Sequence, residues 1–325
     1  MKKELISACA VTLLLGGAIS AFAYHAYNMP EPERNEDISE PATTEPTTTE
    51  QPTVPAEREV IPRQLSAAPD PETAEKADIY HLMLNSVDYY DKASGTVIYP
   101  SDSVNDVNIV RFQTSISEGD AYFNYSRCYV DEPRNITAES IEGAVLEANE
   151  DTYYNSGVYT DIDHAAKEYF TGFDTPSTLS DEDIPDAQRY YVDSEGVGHS
   201  TMRADPTKVP LASRCLFSQD FAMGYLHDFD RWEVTEITEH SGRQCYHIKG
   251  HPDEEYGEKQ GVFTVEMYLD TQTGTLVWYE AEDSFGDLKN FLYTEDLRFD
   301  DEADPVSEFD GVIPENYTRK GSNND

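Results

Sequence analysis

The chain is short of positive charge. Its 325 residues include 23 Lys or Arg against 64 Asp or Glu, a formal net charge of −41. An excess of that size repels phosphate backbones and anionic lipid surfaces, which excludes nucleic-acid binding and adsorption onto acidic membranes. The plain role of so much carboxylate is a solvated surface. Cysteine is scarce too: Cys9, Cys128, Cys215 and Cys245. Cys9 lies in the N-terminal apolar run. The other three make no disulfide framework, so the fold must rest on a hydrophobic core. One bridge with one free thiol and three buried thiols both remain open.

Catalytic and metal-binding patterns are missing as well. Gly198-His199-Ser200 lacks the Gly-x-Ser-x-Gly elbow of a serine hydrolase. There is no glycine-rich phosphate loop and no His-Glu-x-x-His. The acidic pairs Asp161/Asp163 and Asp228/Asp230 lack the central Gly and terminal Glu of a calcium loop. His247 and His251 have helical spacing, but the pattern puts His247 on a strand. The expectation is therefore no enzyme, no cofactor and no metal.

One long apolar run is present. Lys2 and Lys3 precede an uncharged stretch from Leu5 to Tyr24, which ends near Ala21-Phe22-Ala23. It fits a signal peptide cut after Ala23. It also fits a single-pass anchor, since about 20 apolar residues span a bilayer at ~1.5 Å each. The following segment favours the anchor. Residues 29–72 hold nine of the 18 prolines and the run Pro41-Ala-Thr-Thr-Glu-Pro-Thr-Thr-Thr-Glu50. Such a segment buries no core, and in polyproline geometry it reaches on the order of 100 Å. A spacer is useful when one end is fixed. The organisation expected is thus a leader over 1–28, a disordered spacer over 29–72, a globular domain over 73–310 and a polar tail over 311–325. Either reading of the leader puts the domain outside the cytoplasm, at the cell membrane or secreted.

The globular part opens with a helix signal at Asp70-Pro71. Ile79, Leu82, Met83, Val87 and Tyr90 follow at helical spacing, and Ser94-Gly95 closes the helix. The period then drops to two. Strands are expected at Thr96–Tyr99, Val107–Ser115, Ala121–Val130, Asp151–Tyr154, Lys167–Phe170, Trp232–Glu239, Gln244–Lys249 and Asn290–Asp300. Residues 131–150 fit either element, 161–163 read as a turn, and 171–210 read as a long excursion, functional or mobile. Leu211–Phe229 has a helical apolar pattern. The organising stretch is Val262–Glu280. Phe263, Val265, Met267 and Leu269 alternate with Thr264, Glu266 and Tyr268. Asp270 and Gly274 then suit the start and end of a turn into Leu276–Glu280. About eight or nine strands with short turns mean antiparallel neighbours, and a sheet that wide must curl. The fold class expected is α+β: a strongly curved antiparallel sheet, an unclosed barrel, with helices on its concave side.

Two stretches carry a family likeness. Trp232-Glu-Val-Thr-Glu-Ile237 with Cys245-Tyr-His-Ile248, and Tyr268-Leu-Asp-Thr-Gln-Thr-Gly274, resemble the lipoprotein-carrier superfamily of LolA, LolB and the sensor RseB. The resemblance implies an apolar cavity between sheet and helices, suited to an acyl chain or a lipidated protein. The residues expected to line it are Phe263, Val265, Met267, Trp278, Trp232, Leu82 and Met83. The expected role is a membrane-tethered binding or sensor domain holding an apolar ligand, a lipid or a lipidated partner. The alternative is a regulatory protein that docks another membrane protein, such as an anti-sigma factor, with no ligand in the cavity. A hydrolase with a scattered site is the third reading.

Overall fold

A computed structural model describes residues 63–173, 184–194 and 197–320. The leader, most of the spacer and Cys9 lie outside the described residues, so the anchor expectation does too. No described helix is long and apolar enough to cross a membrane.

The sheet is two meanders joined at their first and last strands. β1 (Lys92–Pro100), β2 (Asp106–Ser115), β3 (Asp120–Tyr129), β4 (Leu146–Asn155), β5 (Val158–Asp163) and β6 (Glu168–Phe173) run in sequence order. β9 (Trp232–His240), β10 (Arg243–Gly250), β11 (Thr264–Asp270), β12 (Leu276–Glu282) and β13 (Leu288–Phe299) do the same. β1 pairs with β13 in the middle, and β14 (Thr318–Arg319) adds to β6, giving a twelve-stranded sheet in the order β14-β6-β5-β4-β3-β2-β1-β13-β12-β11-β10-β9. Every neighbouring pair is antiparallel except β14 with β6. A short pair, β7 (Tyr190–Val192) with β8 (Gly198–Ser200), stands apart. The unclosed, largely antiparallel sheet with helices on one face is the fold class the pattern predicts.

Several local expectations shift. Asp70 caps a turn, accepting from the Glu72 and Thr73 amides, and the helix α1 begins at Lys76 and ends at Leu84. Glu75 and Asp78 form a capping box there, which outcompetes the Pro71 start. Ser94-Gly95 lies inside β1. Asp161-Ile162-Asp163 is strand β5, because Ile162 is a buried position of an alternating run. Residues 211–229 form no single helix. They break into α3 (Ser213–Leu216), α4 (Gln219–Phe221) and a π-turn (Ala222–Leu226), preceded by α2 (Asp186–Arg189). Gly224 sits in that π-turn with the Tyr256 ring so close that a Cβ would overlap it. Tyr256 belongs to α5 (Glu254–Gln260), which the sequence pattern does not signal. Residues 63–72, assigned to the spacer by composition, are held by Arg63, which donates to the Val87 and Tyr90 carbonyls, and by Ser66 N–H to Asp88 O.

The hairpin turn follows its sequence reading. Asp270, 1% exposed, accepts from the amides of Gln272 at 3.0 Å and Thr273 at 2.7 Å, and pairs with Arg243. Gly274 has φ +71°, and a Cβ there would fall on the Leu82 carbonyl. The turn therefore fits against the end of α1 only with glycine at this place. Cys128, Cys215 and Cys245 are buried free thiols, and burial raises the Cys245 pKa to about 12.

Candidate functional site

The concave face divides into two halves of different chemistry. Over β9–β13 it is apolar and covered. Val265 (3%), Met267 (0%), Leu269 and Ile248 point into one core with Leu82 and Met83 of α1. Leu216, Phe221, Met223 and Leu226, from the irregular segment 211–229 that follows the excursion, pack into the same core, each at most 3% exposed. Trp232 closes the end of this core, its indole N–H donating to the Leu226 carbonyl at 3.0 Å. Five of the seven residues expected to line a cavity are thus together, but in a packed core. The other two are elsewhere. Phe263 is 55% exposed beside His251, because β11 starts one residue later at Thr264. Trp278 faces outward, since it pairs across the ladder with Tyr268 and Tyr293.

A polar corner fastens the excursion to the segment after α1. Arg189 is fully buried and donates to Thr201 O (2.8 Å), Asn85 Oδ1 (3.2 Å) and Gln219 Oε1. Arg203 forms a two-pronged bond to Asp88 at 2.6 and 2.9 Å. Ser86 Oγ and Tyr90 OH both donate to the Leu216 carbonyl. Asp186 lies 2.7 Å from His81. Burial opposes its charge, yet the His81 bond and charge and the Asn85 amide hold its carboxyl below the usual range. Burial and the Arg203 charge lower the Arg189 pKa. Sequence reading missed this corner, because one Arg and a few amides in an irregular stretch carry no period.

Over β3–β6 the same face is lined by tyrosines and carboxylates. Tyr125, Glu150, Thr152, Tyr154, Tyr159, Asp161, Asp163 and Phe170 sit on it by register. Tyr154, Tyr159 and Phe170 form a ring row with 5.6 Å spacings. Burial pushes the Glu150 carboxyl up, and Asp163 and Asp161 push it further. Burial also raises Asp161, against the hydrogen bond from Thr152. In both cases the Lys320 charge opposes the rise.

The outer face carries a second small core. Ile98, Val107, Ile109, Phe291 and Tyr293 are covered by residues 134–144, including Ile136 and Ile141. Arg134 locks this cover down by pairing with Glu280 and Glu282. A groove of about 570 Å³ beside it is lined by Lys249, Glu266, Glu280, Glu282 and the rim of Trp232 and Val265. Its walls are charged, which suits no apolar ligand. Next to it, Tyr268 is stacked between His240 (4.0 Å) and His247 (4.4 Å). No group of side chains among the described residues has the makeup of a metal site.

No family model matches the chain, and no curated protein does. Solved structures do. The Pseudomonas aeruginosa MucA/MucB complex aligns at 15% identity and a TM-score of 0.32, over 74% of this chain and 68% of that one. LprF from Mycobacterium bovis aligns at 10% and 0.35, over 77% and 99%. An outer membrane lipoprotein-sorting protein domain from Vibrio parahaemolyticus aligns at 12% and 0.23, over 71% and 95%. At these scores the fold assignment rests on the sheet topology itself.

Proposed function

We propose that residues 63–320 form a non-catalytic docking domain. It is held outside the cytoplasm by the N-terminal anchor and spacer, and it engages another membrane-associated protein. One observation supports this most: the apolar concave face that would hold a ligand is filled by the chain's own Leu216, Phe221, Met223 and Leu226. Recognition is then left to the surfaces that remain accessible, which are acidic and aromatic. The test is native mass spectrometry of the full chain extracted from membranes in mild detergent, with carboxyl–amine cross-linking before extraction. The expected result is the bare chain mass together with a cross-linked membrane protein. A lipid recovered at one per chain would overturn it.

That outcome would install the second reading, in which an acyl chain or lipidated partner enters under the excursion. The polar corner favours this reading. Irregular segments fastened by side-chain bonds, from Arg189 and Arg203 at the corner and from Thr114 to the Thr207 carbonyl, can lift without breaking a strand ladder.

A further inference from the structure

The two open edges of the sheet are treated differently. β9 guards its edge with Glu233 and Glu239, both exposed, and with Glu236 beside them. Charges along an edge are a usual defence against stray pairing. β6 has an apolar edge instead: Phe170 is 37% and Phe173 69% exposed. A strand of that kind is a template for another chain, and here the template holds one. The C-terminal segment leaves β13 and runs across the outer face. Asp304 N–H donates to Ser94 Oγ (2.9 Å), Ser307 N–H to Gln113 Oε1 (2.8 Å) and Phe309 N–H to Asn155 Oδ1 (3.1 Å). The segment then turns along β6 in parallel. Thr318 N–H donates to Lys167 O (3.0 Å) and Lys320 N–H to Tyr169 O (2.8 Å). Tyr317 OH lies 2.8 Å from His164 Nδ1, and His164 Nε2 lies 2.7 Å from Asp151.

Three features distinguish this strand from a structural one. It is two residues long and both are exposed. It pairs only Glu168 and Tyr169, so from Phe170 to Phe173 the edge has no strand beside it among the described residues. Its sequence, Tyr317-Thr318-Arg319-Lys320, places two adjacent cations in a chain with 23 in all. By register Arg319 shares the face of Tyr169, while Lys320 comes to the face where Glu150, Asp161, Asp163 and Glu168 lie, and its charge opposes the raised pKa of two of them.

We propose that the β6 edge is a strand-addition site for an extended basic segment of a partner protein, and that residues 317–320 are its built-in placeholder. The partner segment adds as a parallel strand, sets a cation over the β4–β6 carboxylates at the place of Lys320 and continues past Tyr169 beside Phe170–Phe173. Main-chain bonds supply the affinity and the charge pattern supplies the choice of partner. A second copy of this chain fits poorly, since two bodies of charge −41 repel. This inference rests on the docking reading and names its surface.

The test uses the full chain and a fluorescein-labelled peptide with the sequence of residues 315–321. A second peptide carries Glu in place of Arg319 and Lys320. Two variants open the edge: Thr318→Pro, which removes the amide bonded to Lys167, and a chain ending at Pro314. Fluorescence anisotropy at low salt should show the basic peptide binding both variants at least about tenfold more tightly than the unaltered chain, because the placeholder no longer competes. The Glu peptide should not bind, and salt near 0.5 M should weaken the basic one. Absence of binding to both variants at unchanged melting temperature overturns the proposal. So does equal affinity for the unaltered chain, equal binding of the Glu peptide, or a tail-exchanged dimer of the unaltered chain. If the peptide fails while the chain still cross-links a membrane protein, the edge proposal falls and the docking reading stands.

Discussion

The two halves of the concave face share one sheet and part company in what covers them. Over β9–β13 the sheet presents Ile248, Val265, Met267 and Leu269, and the chain brings its own apolar residues to meet them. Over β3–β6 it presents Glu150, Asp161 and Asp163 among tyrosines. The first half is where the molecule stores stability. The second holds carboxylates against their preference for water, which stability alone does not require. Hydrophobic burial is worth about 1.5–3 kcal/mol per large side chain. A carboxyl pushed up by burial works against folding at neutral pH. The difference is what the proposed docking role requires: one half as scaffold, the other as recognition surface.

The contrast can be broken hardest at the hairpin turn. Asp270→Ala leaves Arg243 without its partner and opens two turn amides. It should cost about 3–5 kcal/mol in urea unfolding. A loss under ~1 kcal/mol would mean that the turn does not anchor the packed half. Next, Leu82→Ala should cost about 2–5 kcal/mol, while Tyr159→Ala on the acidic half should cost well under that, because Tyr159 is only half-buried. Equal losses would erase the distinction.

Asp161→Asn should raise the melting temperature at pH 7, since it removes a half-buried charge and keeps an acceptor for Thr152. The pH dependence has a definite sign. The folded carboxyl titrates above its ordinary value, so its favourable contribution is complete below the ordinary range near 4 and is lost as pH rises through the folded value. The advantage of Asn over Asp should therefore shrink on acidification. Asp186 runs the other way. Its folded carboxyl titrates below the ordinary value, so its contribution is present above that range and is lost as acid reaches the lowered pKa. Acid melts should loosen the polar corner while relieving the β4–β6 end. Smallest of all, Phe263→Ser should move stability by no more than about 0.5 kcal/mol, as expected of an exposed side chain.

Much of the fold was legible in the sequence because alternation is written locally. The Asp270–Gly274 turn, the strand faces of Val265 and Met267 and the stripe Ile79-Leu82-Met83 each need only a few residues of context. Phe263 misled for the same reason: it continues the alternation by one step, and only the register of β11 with β12 shows where the strand begins. Trp278 was harder, since an aromatic suits either face of a sheet, and its side was decided by a second core built from residues 134–144. The Arg189 corner and the β14 strand join residues far apart in sequence, Asn85 with Arg189 and Lys167 with Thr318, so no local pattern could announce them. The segment Asp304–Phe309 carries no sequence period either, and its path shows only in its bonds to Ser94, Gln113 and Asn155.

Hydrogen exchange with mass readout on the full chain tests the division of the sheet most directly. Amides of Ser213–Leu226 should exchange as slowly as those of β10–β13, because they belong to the same core, while β5, β6 and β14 exchange sooner. Early exchange across Ser213–Leu226, ahead of β10–β13, would contradict it and show a cover that opens over an apolar site.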